Sequence, residues 1–274
     1  MSTATIDAPT PAAVPASDSA PKRVSLARVT GSEWIKFRSV RSSWYVLLAA
    51  AVAMIAIGLA VAYNTRNPAG LAEEDAVASA TLQGYHLAEL LIGVLGALFV
   101  TGDYASGMVR STFAAVPART PVLLAKAGVL TAVAIVSLTL TSLVTFLSSQ
   151  ALLSHWRPGF SLSDPTALRA VLGTGVFLTF VGLLGAAFGW LIRSTAGAIS
   201  ALLALLLVLP VVFGQLLGSW GADVAKYLPS TGESFIVSVR DRTMLSPWAG
   251  LGVLAAWIVA ALAIAAVQLR RRDV

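Results

Sequence analysis

Six long apolar runs decide what this chain can become. They cover about 44–63, 86–102, 122–148, 168–192, 197–217 and 247–268. A helix needs about 20 mostly apolar residues to cross the hydrocarbon core of a bilayer. Inside that core each backbone N–H and C=O must be satisfied within the segment, so such runs become helices. The expectation is an all-α membrane protein with six transmembrane helices. Composition agrees: 57% of the residues are hydrophobic and 12% charged, about half the charge of an ordinary soluble domain. No sizeable soluble core is expected. With no cysteine in the chain, disulfides and thiolate metal sites are excluded.

Residues 1–23 are rich in Ala, Pro, Ser and Thr and lack apolar periodicity, which predicts a disordered cytoplasmic tail. Residues 24–274 form the six-helix transmembrane domain. The first apolar run begins near Trp44 and is longer than a signal-peptide core, so an uncleaved signal anchor is expected. Orientation follows from Lys and Arg. With the N-terminus inside, 13 of the 19 basic residues lie on the inner side, including Arg270, Arg271 and Arg272, and 6 lie outside. The basic excess therefore reports topology, with both termini cytoplasmic, and not nucleic-acid binding.

Two polar segments stand out. Residues 24–43 precede the first span. As a helix they put Trp34, Phe37, Val40 and Trp44 on one face, with Lys36, Ser39 and Ser43 opposite and Arg41 inside the apolar arc. Glu33 falls in the first turn of a helix capped by Ser32. This suits either a helix lying on the inner membrane surface or a plain positive flank. Residues 103–119 join the second and third runs. As one helix they group Ala105, Val109, Phe113 and Val116 on one side, and Asp103, Gly107, Arg110 and Ser111 on the other. Asp103 would start that helix, Pro117 would stop it, and Pro121 fits the first turn of the next. Such a helix either rests on lipid headgroups or transmits movement from a cytoplasmic partner.

The run Asp103-Tyr104, Gly107, Val109-Arg110, Phe113, Pro117, Arg119 and Lys126 resembles the first cytoplasmic loop of ABC-2 type transporter permeases. Glu33, Trp34, Lys36, Phe37, Ser39, Arg41 and Ser42 resemble that family's pre-membrane helix. The likeness extends over nearly all of the chain after residue 24. Asp103 stands where Glu is commoner and Met108 where Thr is usual, so a hydroxyl is missing at 108. The resemblance implies a coupling helix between the second and third spans, docked in a groove of an ABC ATPase subunit. Asp103, Tyr104, Gly107, Arg110, Phe113, Pro117 and Arg119 would form that coupling interface, with Gly107 admitting the partner backbone. It further implies a plasma-membrane location, a second permease copy or paralogue, and ATP and Mg on the partner subunit. The expected function is transport, most often export. A membrane scaffold or assembly factor without cargo is the alternative.

The chain has no Gly-x-x-x-x-Gly-Lys-Ser/Thr phosphate loop, no His-Glu-x-x-His and no Gly-x-Ser-x-Gly, so it is not expected to be an enzyme or to bind a cofactor or metal itself. Leu228-Pro-Ser-Thr-Gly232 matches a wall-sorting pentapeptide. Five spans precede it, however, and charged residues separate it from the last run, so an outer loop turning at Pro229 and Gly232 is preferred. Similarity to the family implies that 219–246 folds back there as short helices. Polar residues within spans are functional candidates. Glu89 either lines an exit path or sits at headgroup level near His86, and Gln215 is placed by a pathway beside Pro210, where a kink is expected. Ser137, Thr141, Thr145 and Ser149 should bond to their own helix, and Gly182, Gly185 and Gly189 should mark close helix contact.

Overall fold

The computed structural model describes residues 25–64, 82–116, 118–155, 161–237 and 245–271. The tail 1–23, the acidic stretch at Glu73 and Pro117 lie outside these residues. All regular structure among the described residues is helical. The elements are α1 (Leu26–Ser39), α2 (Arg41–Asn64), α3 (Tyr85–Ala105), α4 (Met108–Ala115), α5 (Thr120–Leu153), α6 (Pro165–Ile192), α7 (Thr195–Leu216), α8 (Gly218–Ala225) and α9 (Pro247–Arg271). A tight 3₁₀ turn, Pro229–Phe235, lies between α8 and α9. Helices α2, α3, α5, α6, α7 and α9 are long and apolar enough to cross a membrane, so the chain is a multi-pass membrane protein. Their bounds extend the six apolar runs by a few residues at most ends.

Helices α3 and α6 form the centre. Of their most apolar stretches 61% and 72% are buried, against 22% to 28% for α2, α7 and α9, which leave most of their surface to the surroundings. Glycine sets the central contact. A Cβ on Gly96 would overlap the Gly182 carbonyl, and one on Gly185 would overlap the Gly93 carbonyl. Without a hydrophobic drive between apolar helices in lipid, this backbone approach supplies the packing. The expected role of Gly182, Gly185 and Gly189 is thus borne out.

Local chemistry explains the breaks. Val40 is extended (φ −84°, ψ 100°), which separates α1 from α2. Arg193 adopts a left-handed φ of 58° at the end of α6, and the Ser194 hydroxyl accepts from the Gly197 N–H to start α7, giving a tight hairpin between the two helices. In α7, Pro210 has no N–H to give and its ring crowds the preceding turn. The helix widens into π-turns on both sides, Ala204–Val208 and Val212–Leu216. Ser137, Thr141 and Thr145 each bond to the carbonyl four residues back at 2.7–2.8 Å. Ser149 does not: its hydroxyl is buried without a hydrogen bond.

Candidate functional site

Four charged side chains meet where α1, α3 and α5 converge. Lys126, one and a half turns into α5, is almost fully buried. Its Nζ lies 2.9 Å from Glu33 Oε2 and 3.0 Å from Asp103 Oδ2, and donates to the Phe99 carbonyl at 2.9 Å. The Lys126–Glu33 contact is a close ion pair whose alignment falls short of a hydrogen bond. The ammonium also sits 4.1 Å above the Phe99 ring. Lys36 completes the group. It donates to Glu33 Oε1 at 2.7 Å and to Thr112 Oγ1 at 3.2 Å, and lies 3.6 Å from Asp103. Glu33, with no exposed surface, spans the two lysines with one oxygen each. Charges alternate and cancel, as buried ions must if they are to persist.

This arrangement revises the reading of both polar segments. The buried face of α1 is Val29, Glu33 and Phe37, one residue every fourth, and Trp34, Val40, Trp44 and Arg41 are exposed. Helix α1 is capped by Ser25, not Ser32, so Glu33 lies in its middle and is drawn inward by Lys126. Phe37 packs edge-on against Phe99 at 5.2 Å and Trp44 at 5.8 Å.

Asp103 does not begin a helix. It lies in the last turn of α3, where a negative charge opposes the helix dipole and needs a counter-charge. Lys126 and Lys36 provide it. The segment 103–116 is therefore two helices, broken at Ser106 and Gly107. Gly107 adopts φ 73°, a left-handed conformation that costs glycine little. Its task is to turn the chain into α4, and a side chain there would meet open space.

Within α4 the expected faces hold. Val109 and Phe113 are buried, as is Val116 just beyond, while Met108, Arg110, Ser111 and Ala114 are exposed. Phe113, expected as an anchor for a partner, stacks instead on Trp190 of α6 at 6.4 Å. Tyr104 meets the same indole edge-on at 5.9 Å. Arg119 lies 5.4 Å over the Phe113 ring and donates to the Leu269 carbonyl at 2.9 Å, near the end of α9. Arg193 lies 5.5 Å over Tyr104. Of the coupling residues expected from sequence, Tyr104, Phe113 and Arg119 thus face into the protein, and Arg110 with Gly107 faces out. A cavity of 380 Å³ opens beside the charged group, walled by Ser42, Ser43, Leu98, Gly102 and Met108.

Glu89 lies on α3 four residues after Tyr85, toward the opposite end of the helix. It is 7% exposed. Tyr85 Oη donates to Glu233 Oε2 at 3.2 Å, bringing the Pro229–Phe235 turn onto α3. Burial pushes the Glu233 carboxyl above the ordinary carboxylate range, and the Tyr85 hydrogen bond offsets part of that. Pro229 and Gly232 are buried, so the Leu228–Gly232 pentapeptide is folded into the protein; α8 and the turn supply the short helices expected after residue 218. Gln215 is exposed on α7 and is not part of the Glu89 group.

Sequence reasoning named all four charged residues but not their meeting. The signal was present: Lys126 is a cation one turn inside an apolar run, and such a residue requires an acid. No family model matches the chain, and no curated protein matches it.

Proposed function

We propose that this chain is the transmembrane permease subunit of an ATP-driven ABC-2 type transporter, an exporter. It works in the plasma membrane as a pair of permeases with two ATPase subunits, both of its termini cytoplasmic. ATP and Mg belong to the partner. The observation that carries this reading is the neutral four-charge group that ties α1, α3 and α5 together beside an exposed eight-residue helix.

A helix that must pass on movement needs one face free and the other fixed. The free face of α4 is Met108, Arg110, Ser111 and Ala114. Its fixed face bears on Trp190 through Phe113, and Thr112 is hooked to Lys36. Asp103 and Lys126 then clamp the helix before α4 to the helix after it. A push on α4 moves α1, α3 and α5 as one body, because separating them would strand buried charges. The motif likeness in 103–126 and in 33–42 adds the identity of the partner.

Arg110→Ala is the direct test. It should leave membrane levels near normal and reduce retention of the ATPase on the solubilised permease. Wild-type retention together with wild-type substrate-stimulated hydrolysis would make α4 a helix that merely rests on lipid headgroups. Phe113→Ala is expected to act through stability, since its ring faces Trp190.

A further inference from the structure

The 380 Å³ cavity beside the charged group presents donors that the four charges leave over. It lies where α1 ends, α2 begins and α3 ends. Val40, Ser42 and Ser43 wall it on one side, Leu98 and Gly102 on the other. Lys36 and Lys126 reach it from the charged group. An ammonium has three N–H donors. Lys36 gives one to Glu33 Oε1 and one to Thr112 Oγ1, and Asp103, at 3.6 Å, is too far to take the third. A second, independent observation concerns Ser43. It is 5% exposed and lines the cavity, and its hydroxyl makes no hydrogen bond among the described residues. Ser42 and Ser43 belong to the opening turn of α2, a helix of 24 residues with no acid in its first turn. The N–H groups that open a helix lack partners inside it and carry the positive end of its dipole, which suits an anion.

Charge agrees. Glu33 and Asp103 match Lys36 and Lys126, so the group beside the cavity is neutral. Asp103 also lines the cavity, but Lys126 holds it at 3.0 Å. Arg38 and Arg41, both exposed, bracket Val40 in the chain and add positive charge. Depth selects the kind of anion. The cavity sits at the ends of two spans, and Trp44 and Tyr45 are exposed near the start of α2. Exposed Trp and Tyr mark the headgroup level of a bilayer. Leu98 is a cavity wall and is 37% exposed, so the cavity meets the apolar flank of α3, where acyl chains lie. Its volume falls at the small end of ligand sites, which run from about 300 to 1,000 Å³. That suits a headgroup with its chains outside.

We propose that this cavity binds the phosphate of an anionic glycerophospholipid, held by Lys36, Ser43 and the opening turn of α2. The site does not require that α4 dock an ATPase.

The test uses the purified full chain in a nonionic detergent, with dihexanoyl phosphatidylglycerol as the probe and thermal unfolding as the readout. The midpoint should rise along a saturable curve, since a ligand that binds only the folded state stabilises it. Dihexanoyl phosphatidylcholine has no net charge and should half-saturate at about tenfold higher concentration or more. Inorganic phosphate at equal ionic strength should not raise the midpoint. Gly102→Leu is the decisive variant. A Cβ at Gly102 meets nothing within 4 Å, so leucine fills the cavity without displacing a neighbour, and the lipid-free midpoint should hold. The lipid response should disappear. Ser43→Ala should weaken half-saturation about tenfold, as for loss of a hydrogen bond to a charged group. Four results would each overturn the proposal: no saturable rise, an equal response to phosphatidylcholine, an equal response to inorganic phosphate, or an undiminished response in Gly102→Leu. The last would leave only diffuse attraction to Arg38 and Arg41. If Gly102→Leu fails to fold, Ser43→Ala decides the matter by the same criterion.

Discussion

Lys126→Met tests the buried charge group most sharply. Methionine fills much of the volume of the lysine stem but takes the side-chain donor from the Phe99 carbonyl, one of two cations from Glu33 and the nearest cation from Asp103. Removing one member of a buried ion pair typically costs about 3–5 kcal/mol, because the remaining charge stays desolvated. Lys36 still holds Glu33 at 2.7 Å, and Asp103 remains 15% exposed, so the lower figure applies. At about 2–4 °C per kcal/mol for a chain of this size, a loss of ~3 kcal/mol lowers the unfolding midpoint by about 6–12 °C. The assay is thermal unfolding of the purified chain in one detergent. The partner variant Glu33→Gln/Lys126→Met removes charge of both signs and should recover much of that loss. Two results would refute the reasoning: a Lys126→Met protein as stable as wild type, or a double variant no more stable than Lys126→Met.

Further expectations follow from other parts of the fold. Gly185→Ala drives a methyl group into the Gly93 carbonyl and should destabilise by at least the 1–3 kcal/mol of ordinary overpacking, roughly 2–12 °C in the same assay; an unchanged midpoint would show that α3 and α6 do not approach so closely. Glu233 gives a pH signature. Its folded-state carboxyl titrates above the ordinary value of 4.5, so on acidification the folded state takes up the proton before the unfolded state does. Stability gained from this group therefore grows as pH falls from the raised value toward 4.5. Wild type minus Glu233→Gln should show that gain, and parallel pH profiles would contradict it. For topology, single cysteines introduced into this cysteine-free chain at Ser230 and Asp75 should react with an impermeant reagent in intact cells, and one at Ser111 should not. Labelling at Ser111 would reverse the orientation.

The spans were legible because length and apolarity alone settle them. Six runs became six helices, and Pro210 and the Arg193–Ser194 turn fell where proline and capping chemistry require. The site was only half legible. Periodicity within 103–116 found the inward face of α4 but took Asp103 as a helix start, since acids at helix N-termini are the commoner case. What overrode that preference was a pairing across 23 residues with Lys126 and across 67 with Lys36, which no local pattern contains. The same holds for Glu33. Its sequence placed it in the first turn of a helix capped by Ser32, yet the helix starts at Ser25 and a buried lysine on another helix holds Glu33 inward. Glu89 was conspicuous as an acid within a span, whereas Glu233 comes from a turn 148 residues after the Tyr85 that bonds it and could not be paired with it in advance.

The most direct measurement is the native mass of the complex recovered, through a tag on this chain, from membranes of the cells that make it. Two copies of the chain with two copies of the ATPase are expected, together with loss of the ATPase from Arg110→Ala. Recovery of the chain with no ATPase would contradict the permease assignment and favour a scaffold. A complex of one copy each would contradict the paired assembly.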